Sequence, residues 1–206
     1  MTVLAELVVE SSVEPWLRLG LDVTNDAARL GAVTLRFVPG ARGIVAWGLA
    51  GVPPECRPLR AIDGLDRYEV SEPVVAGTAH AFDVVSFDHV VVMTSSLERT
   101  CGAIEHATGA ALKRVREAGP VRQGFHRMGE AVVEVVESSA VTASTASFWG
   151  VVWNVVDLDG LCERLGPSVI SPAKDAVQPG RRIATVRAEI GLGLPVALMT
   201  PPVSRA

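Results

Sequence analysis

The chain is poor in cysteine and in aromatic residues, and the shortage of cysteine argues against a disulfide-stabilised protein. Its 206 residues include only three cysteines, Cys56, Cys101 and Cys162, and 5% aromatic residues. An odd number of cysteines without a CxxC pair argues against a disulfide framework. We therefore predict a reduced protein and a cytoplasmic location.

Long apolar runs and an excess of positive charge are also missing. No stretch approaches the ~20 apolar residues of a membrane span, and the N-terminal residues lack the pattern of a signal peptide. The formal charge of −4 argues against general nucleic-acid binding, which needs clustered positive charge. The sequence also lacks G-x-S-x-G, H-E-x-x-H and phosphate-loop motifs. We predict a small-molecule partner, with no nucleic acid and no membrane.

The strongest positive signal is an internal repeat. The strand-like FDHVVVM is followed by a helix whose apolar residues Leu97, Cys101 and Ile104 share one face, and three strand candidates then follow. After the Ser/Thr-rich stretch SSAVTASTAS, FWGVVWNVV opens the same order again, and LPVALMT closes it. The order strand, helix, strand, strand, strand therefore occurs twice.

The repeat sets a domain division and aligns the two copies residue by residue. We predict a degenerate βαββ-like module at residues 1–51, a connecting segment at 52–83, and βαβββ modules at 84–139 and 147–203. The alignment places Gly150 opposite His89 and Ala197 opposite Glu134.

Two tandem βαβββ units of this kind, opened by FDHVVV and closed by VVEVV, resemble the vicinal oxygen chelate superfamily. That superfamily includes glyoxalases, bleomycin-resistance proteins and extradiol dioxygenases. The resemblance covers residues 84–202 and implies an α+β fold, in which paired modules form a curved half-barrel. It also implies a metal site with one ligand from the first strand and one from the last strand of each unit. His89 and Glu134 match those positions, whereas Gly150 and Ala197 cannot bind a metal, so the resemblance implies half of a metal site.

Three interpretations of this half-site stay open. His89 and Glu134 line a ligand pocket; or they bind a divalent ion with further ligands; or His89 is only hydrogen-bonded, for example to Asp88. His126 and Glu137 are the candidates for further ligands, although strand alternation puts Glu137 on the face opposite Glu134. A homodimer that pairs two copies of residues 84–137 would instead bring two half-sites together.

The segment KDAVQPGRR and the start of the second module supply further candidates. Alternation puts Arg181 and Arg182 on opposite faces of a strand, so one guanidinium can point into the cavity and hold a carboxylate or phosphate. Gln178 can add a hydrogen bond, and Phe148 is predicted to share the face of Gly150. The alternative is that both arginines are solvated charges on an edge strand.

Two classes of function follow. The first is a glyoxalase-like or bleomycin-resistance-like protein that binds a small organic, in one version anionic, molecule near His89, Glu134, Phe148, Gln178 and Arg181. It has no cofactor or complete metal centre. The alternative is a metal-dependent lyase or isomerase of the glyoxalase type, in which Glu134 is the general base. A scaffold with a filled cavity is a third interpretation.

Overall fold

The chain folds into two mixed β-sheets with short helices, an α+β architecture. The computed structural model describes residues 1–56, 60–71 and 84–202. The first sheet contains β1 (Val3–Glu10), β2 (Val23–Thr24), β3 (Ala27–Leu30), β4 (Val33–Val38), β5 (Gly43–Ala50), β6 (Ala61–Ile62) and β7 (Leu65–Glu69). The second sheet contains β8 (Val84–Thr94), β9 (Leu112–Ala118), β10 (Val121–Met128), β11 (Ala131–Glu137), β12 (Ser147–Val155), β13 (Lys174–Asp175), β14 (Arg182–Thr185) and β15 (Val196–Met199). The α-helices are α1 (Glu14–Leu19), α2 (Leu97–Thr108) and α3 (Leu158–Leu165), and 3-10 turns occupy Pro54–Cys56 and Ala188–Ile190.

The second sheet has the strand order expected for two βαβββ units. Its order is β13-β14-β15-β12-β8-β11-β10-β9. In each half the last strand pairs in parallel with the first, and the two first strands, β8 and β12, pair antiparallel at the centre. The edge strands β13 and β9 stay at opposite ends, so the sheet is an open half-barrel, as predicted. Since β12 pairs with β8 inside the chain, the strand edge that a between-chain pairing of two half-sites would need is occupied.

The first sheet repeats the same pairing pattern in a shortened form. Its order is β2-β3-β4-β1-β5-β7-β6, with β4 parallel to β1 and β7 parallel to β5. Strands β1 to β4 and α1 form one complete βαβββ unit, whereas a 3-10 turn stands where the next unit would carry its helix.

This sheet extends into the segment that the sequence analysis assigned to a connection. Residues 57–59 and 72–83 of that segment lie outside the described residues, but β6 and β7 fall within it and pair with each other and with β5. Strand β6 has only two residues, and the charged Arg67 stands at a buried position of β7, so neither shows a clear alternation of apolar and polar residues, which explains why the sequence pattern indicated a connection.

The helices cover one face of each sheet and leave the other face free for a site. On β8, Val90 and Val92 are fully buried in the core on the side of α2, so alternation turns His89 to the opposite face. Helix α2 approaches β10 closely at Gly124, where an added Cβ would lie 2.7 Å from the sulfur of Cys101. We call the face opposite the helices the inner face. Among the described residues, no helix has the length and apolar character needed to cross a membrane.

Three β-bulges distort the central pair of the second sheet; one of them makes Val85 an extra residue in β8, and the other two lie beside the candidate residues. Phe87 pairs with Trp153 and His89 with Val152, so Asp88 is an extra residue in β8. Phe148 pairs with Val92 and Gly150 with Val91, which makes Trp149 an extra residue in β12. A bulge breaks the alternation of side chains and re-aims its neighbours. These two bulges therefore decide which side chains reach the inner face.

Candidate functional site

Two adjoining cavities lie on the second sheet, and His89 and Glu134 line both of them. The larger has a volume of about 670 Å³ and also contacts Asp88, Gln178 and Arg181. The smaller has a volume of about 430 Å³ and also contacts Ala197. Cavities of these sizes fall in the usual range for small-molecule sites.

The His89 ring lies between two carboxylates. Its Nδ1 is 2.7 Å from Oδ1 of Asp88, and its Nε2 is 3.3 Å from Oε2 of Glu134. The bulge at Asp88 permits this arrangement, because it brings two consecutive side chains of β8 to the same cavity. A neutral imidazole can donate to one of the two carboxylates, and an imidazolium can donate to both.

Asp88 is also bound by Arg181, which is itself buried. Nη2 of Arg181 lies 2.7 Å from Oδ2 of Asp88, and its Nε donates to the carbonyl oxygen of Thr200 at 2.8 Å. The same guanidinium donates to the side-chain oxygen of Asn154. Burial opposes ionisation of Asp88, but hydrogen bonds from His89 and Arg181 outweigh it and hold the pKa of Asp88 at about 2. Asp88 is therefore a fixed negative charge beside the His89 ring.

Glu134 continues this chain of polar contacts on the other side of His89. The side-chain amide of Gln123 donates to Oε1 of Glu134, and Nε of Arg116 donates to the oxygen of that amide at 2.8 Å. Gln123 and Glu134 both line the smaller cavity. The inner face thus carries a connected row of polar side chains that crosses β9, β10, β11 and β8.

The register of the sheet supports the alignment of the two units. His89 stands seven residues before the N-cap of α2, and Gly150 stands seven residues before the N-cap of α3. Glu134 pairs with the residue two positions after His89, and Ala197 pairs with the residue two positions after Gly150. The four residues therefore occupy corresponding positions in two related units.

Neither position of the second unit can supply a metal ligand. Ala197 lines the smaller cavity with only a methyl group. At Gly150 a Cβ would lie 2.5 Å from the carbonyl oxygen of Pro195, so the backbone excludes any longer side chain there. That oxygen is held in place because it accepts a hydrogen bond from the backbone N–H of Val151 at 3.1 Å.

The donor set therefore does not fit the divalent ion that the fold family implies. Catalytic metal sites usually need about three protein ligands, and here one imidazole nitrogen and one carboxylate face each other. Among residues 1–56, 60–71 and 84–202, no three His, Cys, Asp or Glu side chains are grouped so that they could hold a metal.

The two candidate further ligands are engaged elsewhere, although His126 is among the residues that line the larger cavity. Nδ1 of the buried His126 lies 2.8 Å from the carbonyl oxygen of Ala110, and burial lowers the pKa of His126. Glu137 accepts a hydrogen bond from the N–H of Leu97 at the start of α2, on the face opposite Glu134 as alternation predicts.

Of the other candidate residues, two reach the larger cavity and two do not. Gln178 and Arg181 line the larger cavity, while Arg182 turns away and pairs with Asp159 of α3. Phe148 lines neither of the two cavities. Its ring packs edge-on against Trp47 of the first sheet at a centroid distance of 5.4 Å, because the bulge at Trp149 removes it from the face of Gly150.

The first sheet carries different residues at the same positions. Glu6 stands seven residues before the N-cap of α1, and Arg36 pairs with the residue two positions after Glu6. These two side chains form a two-point ion pair, with N–O distances of 2.7 and 2.8 Å. Tyr68 corresponds to Ala197. In the first sheet Tyr68 pairs with Gly48, and Gly48 pairs with Glu6. In the second sheet Ala197 pairs with Val152, and Val152 pairs with His89. The hydroxyl of Tyr68 binds Glu6, and its ring lies over Gly48.

Comparisons with known proteins show similarity in structure only. No family model matches the chain, and no curated protein matches it. A triple mutant of 4-hydroxymandelate synthase from Streptomyces coelicolor matches with a TM-score of 0.67 and 14% identity, over 99% of this chain and 94% of that chain.

Two smaller structures match about three fifths of the chain. Methylmalonyl-CoA epimerase from Mycobacterium tuberculosis matches with a TM-score of 0.50 and 16% identity, over 60% of this chain and 92% of that chain. A hypothetical protein from Bacillus halodurans matches with a TM-score of 0.50 and 11% identity, over 59% and 97%. All three structures belong to the superfamily that the sequence repeat resembles. The strand order, the paired units and these similarities together show that the chain has the vicinal oxygen chelate fold.

Proposed function

We propose that the chain binds a small organic molecule in the two adjoining cavities of the second sheet, without a complete metal centre. The observation that carries this proposal is the position of His89 and Glu134, which line both cavities and satisfy each other. His89 has a carboxylate at each ring nitrogen, so neither nitrogen is left for an ion. These residues form a polar centre between two spaces of ligand size.

The lining of the cavities supports a binding site rather than a filled scaffold. The smaller cavity is walled mainly by apolar side chains, among them Val91, Met93 and Val136, with a few polar groups at its junction with the larger one. A mostly apolar wall with a small number of convergent polar groups is typical of small-molecule sites.

The experiment exploits the correspondence between Ala197 and Tyr68. Ligand-observed NMR with a library of organic fragments would be run on the wild-type chain and on Ala197→Tyr. We expect fragments that bind the wild type to be lost in the variant, because the ring would fill the smaller cavity. We also expect EDTA to leave the wild-type binding unchanged.

Two further variants make the experiment decisive. Val156→Tyr adds the same ring at an exposed position after β12 and should keep binding. Ala197→Leu fills part of the cavity with less crowding of Val152, and it replaces Ala197→Tyr if that variant does not fold. Fragment binding that survives both Ala197 variants, or that disappears with EDTA, would overturn the proposal.

A second candidate function is proton transfer at a carbon next to a carbonyl, as in a lyase or isomerase. The specific observation in its favour is that Glu134 faces a cavity beside His89, which Asp88 orients. In this candidate Glu134 removes the proton and His89 stabilises the resulting enolate. The test is exchange of the α-proton of a bound ketone fragment in D₂O. We expect exchange in the wild type and its loss in Glu134→Gln, with fragment binding retained.

A cytoplasmic location and a homodimer stay predictions within this proposal. Fractionation of the cells that produce the chain tests the first. Sedimentation velocity tests the second, with a single species of twice the mass as the expected result.

A further inference from the structure

We infer that the ligand of this site is an organic anion with an apolar body, and that its charged group binds at Arg114. This inference rests on the proposed function and names the class of ligand. The geometry points to it because the two adjoining cavities differ in character. The smaller is mainly apolar, whereas Lys113, Arg114, Arg127 and Arg181 all line the larger.

Arg181, which the sequence pattern suggested as the anion-binding residue, is already neutralised. The residue is 8% exposed, and its guanidinium binds Asp88, Asn154 and the carbonyl oxygen of Thr200. A ligand anion at this position would have to compete with Asp88, which is a fixed negative charge. Arg181 therefore holds the site together and is not the group that recognises an external anion.

Arg114, unlike Arg181, has no carboxylate partner among the described residues, and an aromatic ring holds its guanidinium. Its guanidinium lies over the ring of Phe125, with Cζ 4.7 Å from the centroid. This cation–π contact helps to hold the guanidinium in place, and a guanidinium can still donate its N–H groups to a carboxylate or phosphate. Among the described residues, no carboxylate forms an ion pair with Arg114 or Lys113, whereas exposed arginines such as Arg122 do have such partners.

The sheet register fixes the position of Arg114 relative to the polar centre. Arg114 pairs with Phe125, and Phe125 pairs with Glu134, so these three residues form one row across neighbouring strands. Two strand spacings separate Arg114 from Glu134, which is about 10 Å. An acid of that length can place its charge at Arg114 and its apolar body beside Glu134 and beyond, in the smaller cavity.

The balance of charge around the larger cavity favours an anion. Three carboxylates line this cavity. Asp88 is already bonded to His89 and Arg181, and Glu134 is already bonded to His89 and Gln123. Glu130 is the third and lies at the β10–β11 turn. Three further cations line the same cavity: Lys113, Arg114 and Arg127. A ligand carboxylate thus enters a region with excess positive charge.

The experiment compares two probes with the same body, 4-phenylbutyrate and 4-phenylbutan-1-ol. Binding is followed by tryptophan fluorescence, because Trp149 lines the smaller cavity and is 52% exposed, whereas Trp16, Trp47 and Trp153 are fully buried. We expect the acid to bind about tenfold more tightly than the alcohol, as a charge-assisted hydrogen bond predicts. In Arg114→Gln this preference should fall to near unity, with the affinity for the alcohol unchanged.

Arg164→Gln is the matched control, since it removes the same charge from the exposed side of α3 and should keep the preference. Equal affinity for the two probes in the wild type, or equal behaviour of the two variants, would overturn the inference while the proposed function stands. Failure of both probes to bind would overturn the inference alone, whereas probe binding that persists in both Ala197→Tyr and Ala197→Leu would overturn the inference and the proposed function together.

Discussion

The two sheets share one strand order but differ on their inner faces. In the first sheet, the positions that correspond to His89 and Glu134 hold Glu6 and Arg36, which neutralise each other directly. The position that corresponds to Ala197 holds Tyr68, whose ring fills the space and whose hydroxyl binds Glu6. Burial and the hydrogen bond to Glu6 raise the pKa of Tyr68, so this hydroxyl stays protonated and keeps donating.

The difference shows that a few side chains decide whether such a sheet encloses a cavity. A tyrosine at the last position closes the first sheet, and an alanine at the same position leaves the second sheet open. The strands that carry these positions pair in the same way in both sheets. The fold therefore sets the positions, while the residues at those positions determine whether they form a filled core or a binding site.

The largest effect is expected where the open sheet depends on a buried ion pair. Arg181→Ala leaves Asp88 buried without its cation, and we expect the free energy of unfolding to fall by about 3 kcal/mol. Arg182→Ala, at the next residue and the start of β14, removes an exposed pair with Asp159 and should cost less than about 1 kcal/mol. Urea denaturation measures both. Equal losses would contradict the distinction between a structural and a surface arginine.

A second variant tests whether Tyr68 closes the first sheet. Tyr68→Ala should create a hollow like that beside Ala197 and lower the free energy of unfolding by about 2 kcal/mol, since Tyr68 is only partly buried. Tyr68→Phe keeps the ring and loses only the hydrogen bond to Glu6, at a cost of about 1 kcal/mol. Thermal unfolding of the two variants separates the contribution of the Tyr68 ring, which fills space, from that of the hydrogen bond between its hydroxyl and Glu6. If Tyr68→Phe costs as much as Tyr68→Ala, the hydroxyl rather than the ring closes the sheet.

A smaller effect is expected in acid, where each sheet has a paired carboxylate. The pKa of Asp88 falls from 3.8 to about 2, so its contribution is complete above about pH 4 and is lost as the pH drops towards 2. By linkage this amounts to at most about 2 kcal/mol. Burial opposes ionisation of Glu6, but Arg36 and Tyr68 outweigh it, so its pKa is lowered in the same direction.

Acid titration of stability in two variants separates these contributions. Asp88→Asn should remove most of the loss between pH 4 and 2, and Glu6→Gln should remove a smaller part. A steeper acid loss in Asp88→Asn than in the wild type would contradict the assigned direction.

The sequence pattern predicted the fold well because the signals it used are local. Long strands such as β8 and β12 and helices with a clear apolar face repeat in the same order, and the repeat identified the paired units of the second sheet. Strands β6 and β7 were not predicted, because β6 has only two residues and the charged Arg67 stands at a buried position of β7, so neither shows a readable alternation of apolar and polar residues. They become strands only through their pairing with β5.

The site was less predictable, because bulges are invisible in a single sequence. Simple alternation placed Phe148 beside Gly150 and left Asp88 only as a neighbour of His89. The extra residues in β12 and β8 moved Phe148 to the contact with Trp47 and turned Asp88 into the cavity. Arg114 was not singled out, because its role depends on a cross-strand neighbour, Phe125, that only the sheet register reveals.

The carbonyl of Pro195 above Gly150 limits how this chain could be changed by mutation. The substitution Gly150→His would not produce a metal site, because the main chain at Pro195 already occupies the volume that the histidine side chain needs. To introduce a metal ligand at position 150, the turn that precedes β15 would first have to change its conformation. A single substitution at position 150 is therefore not sufficient to add a metal ligand there.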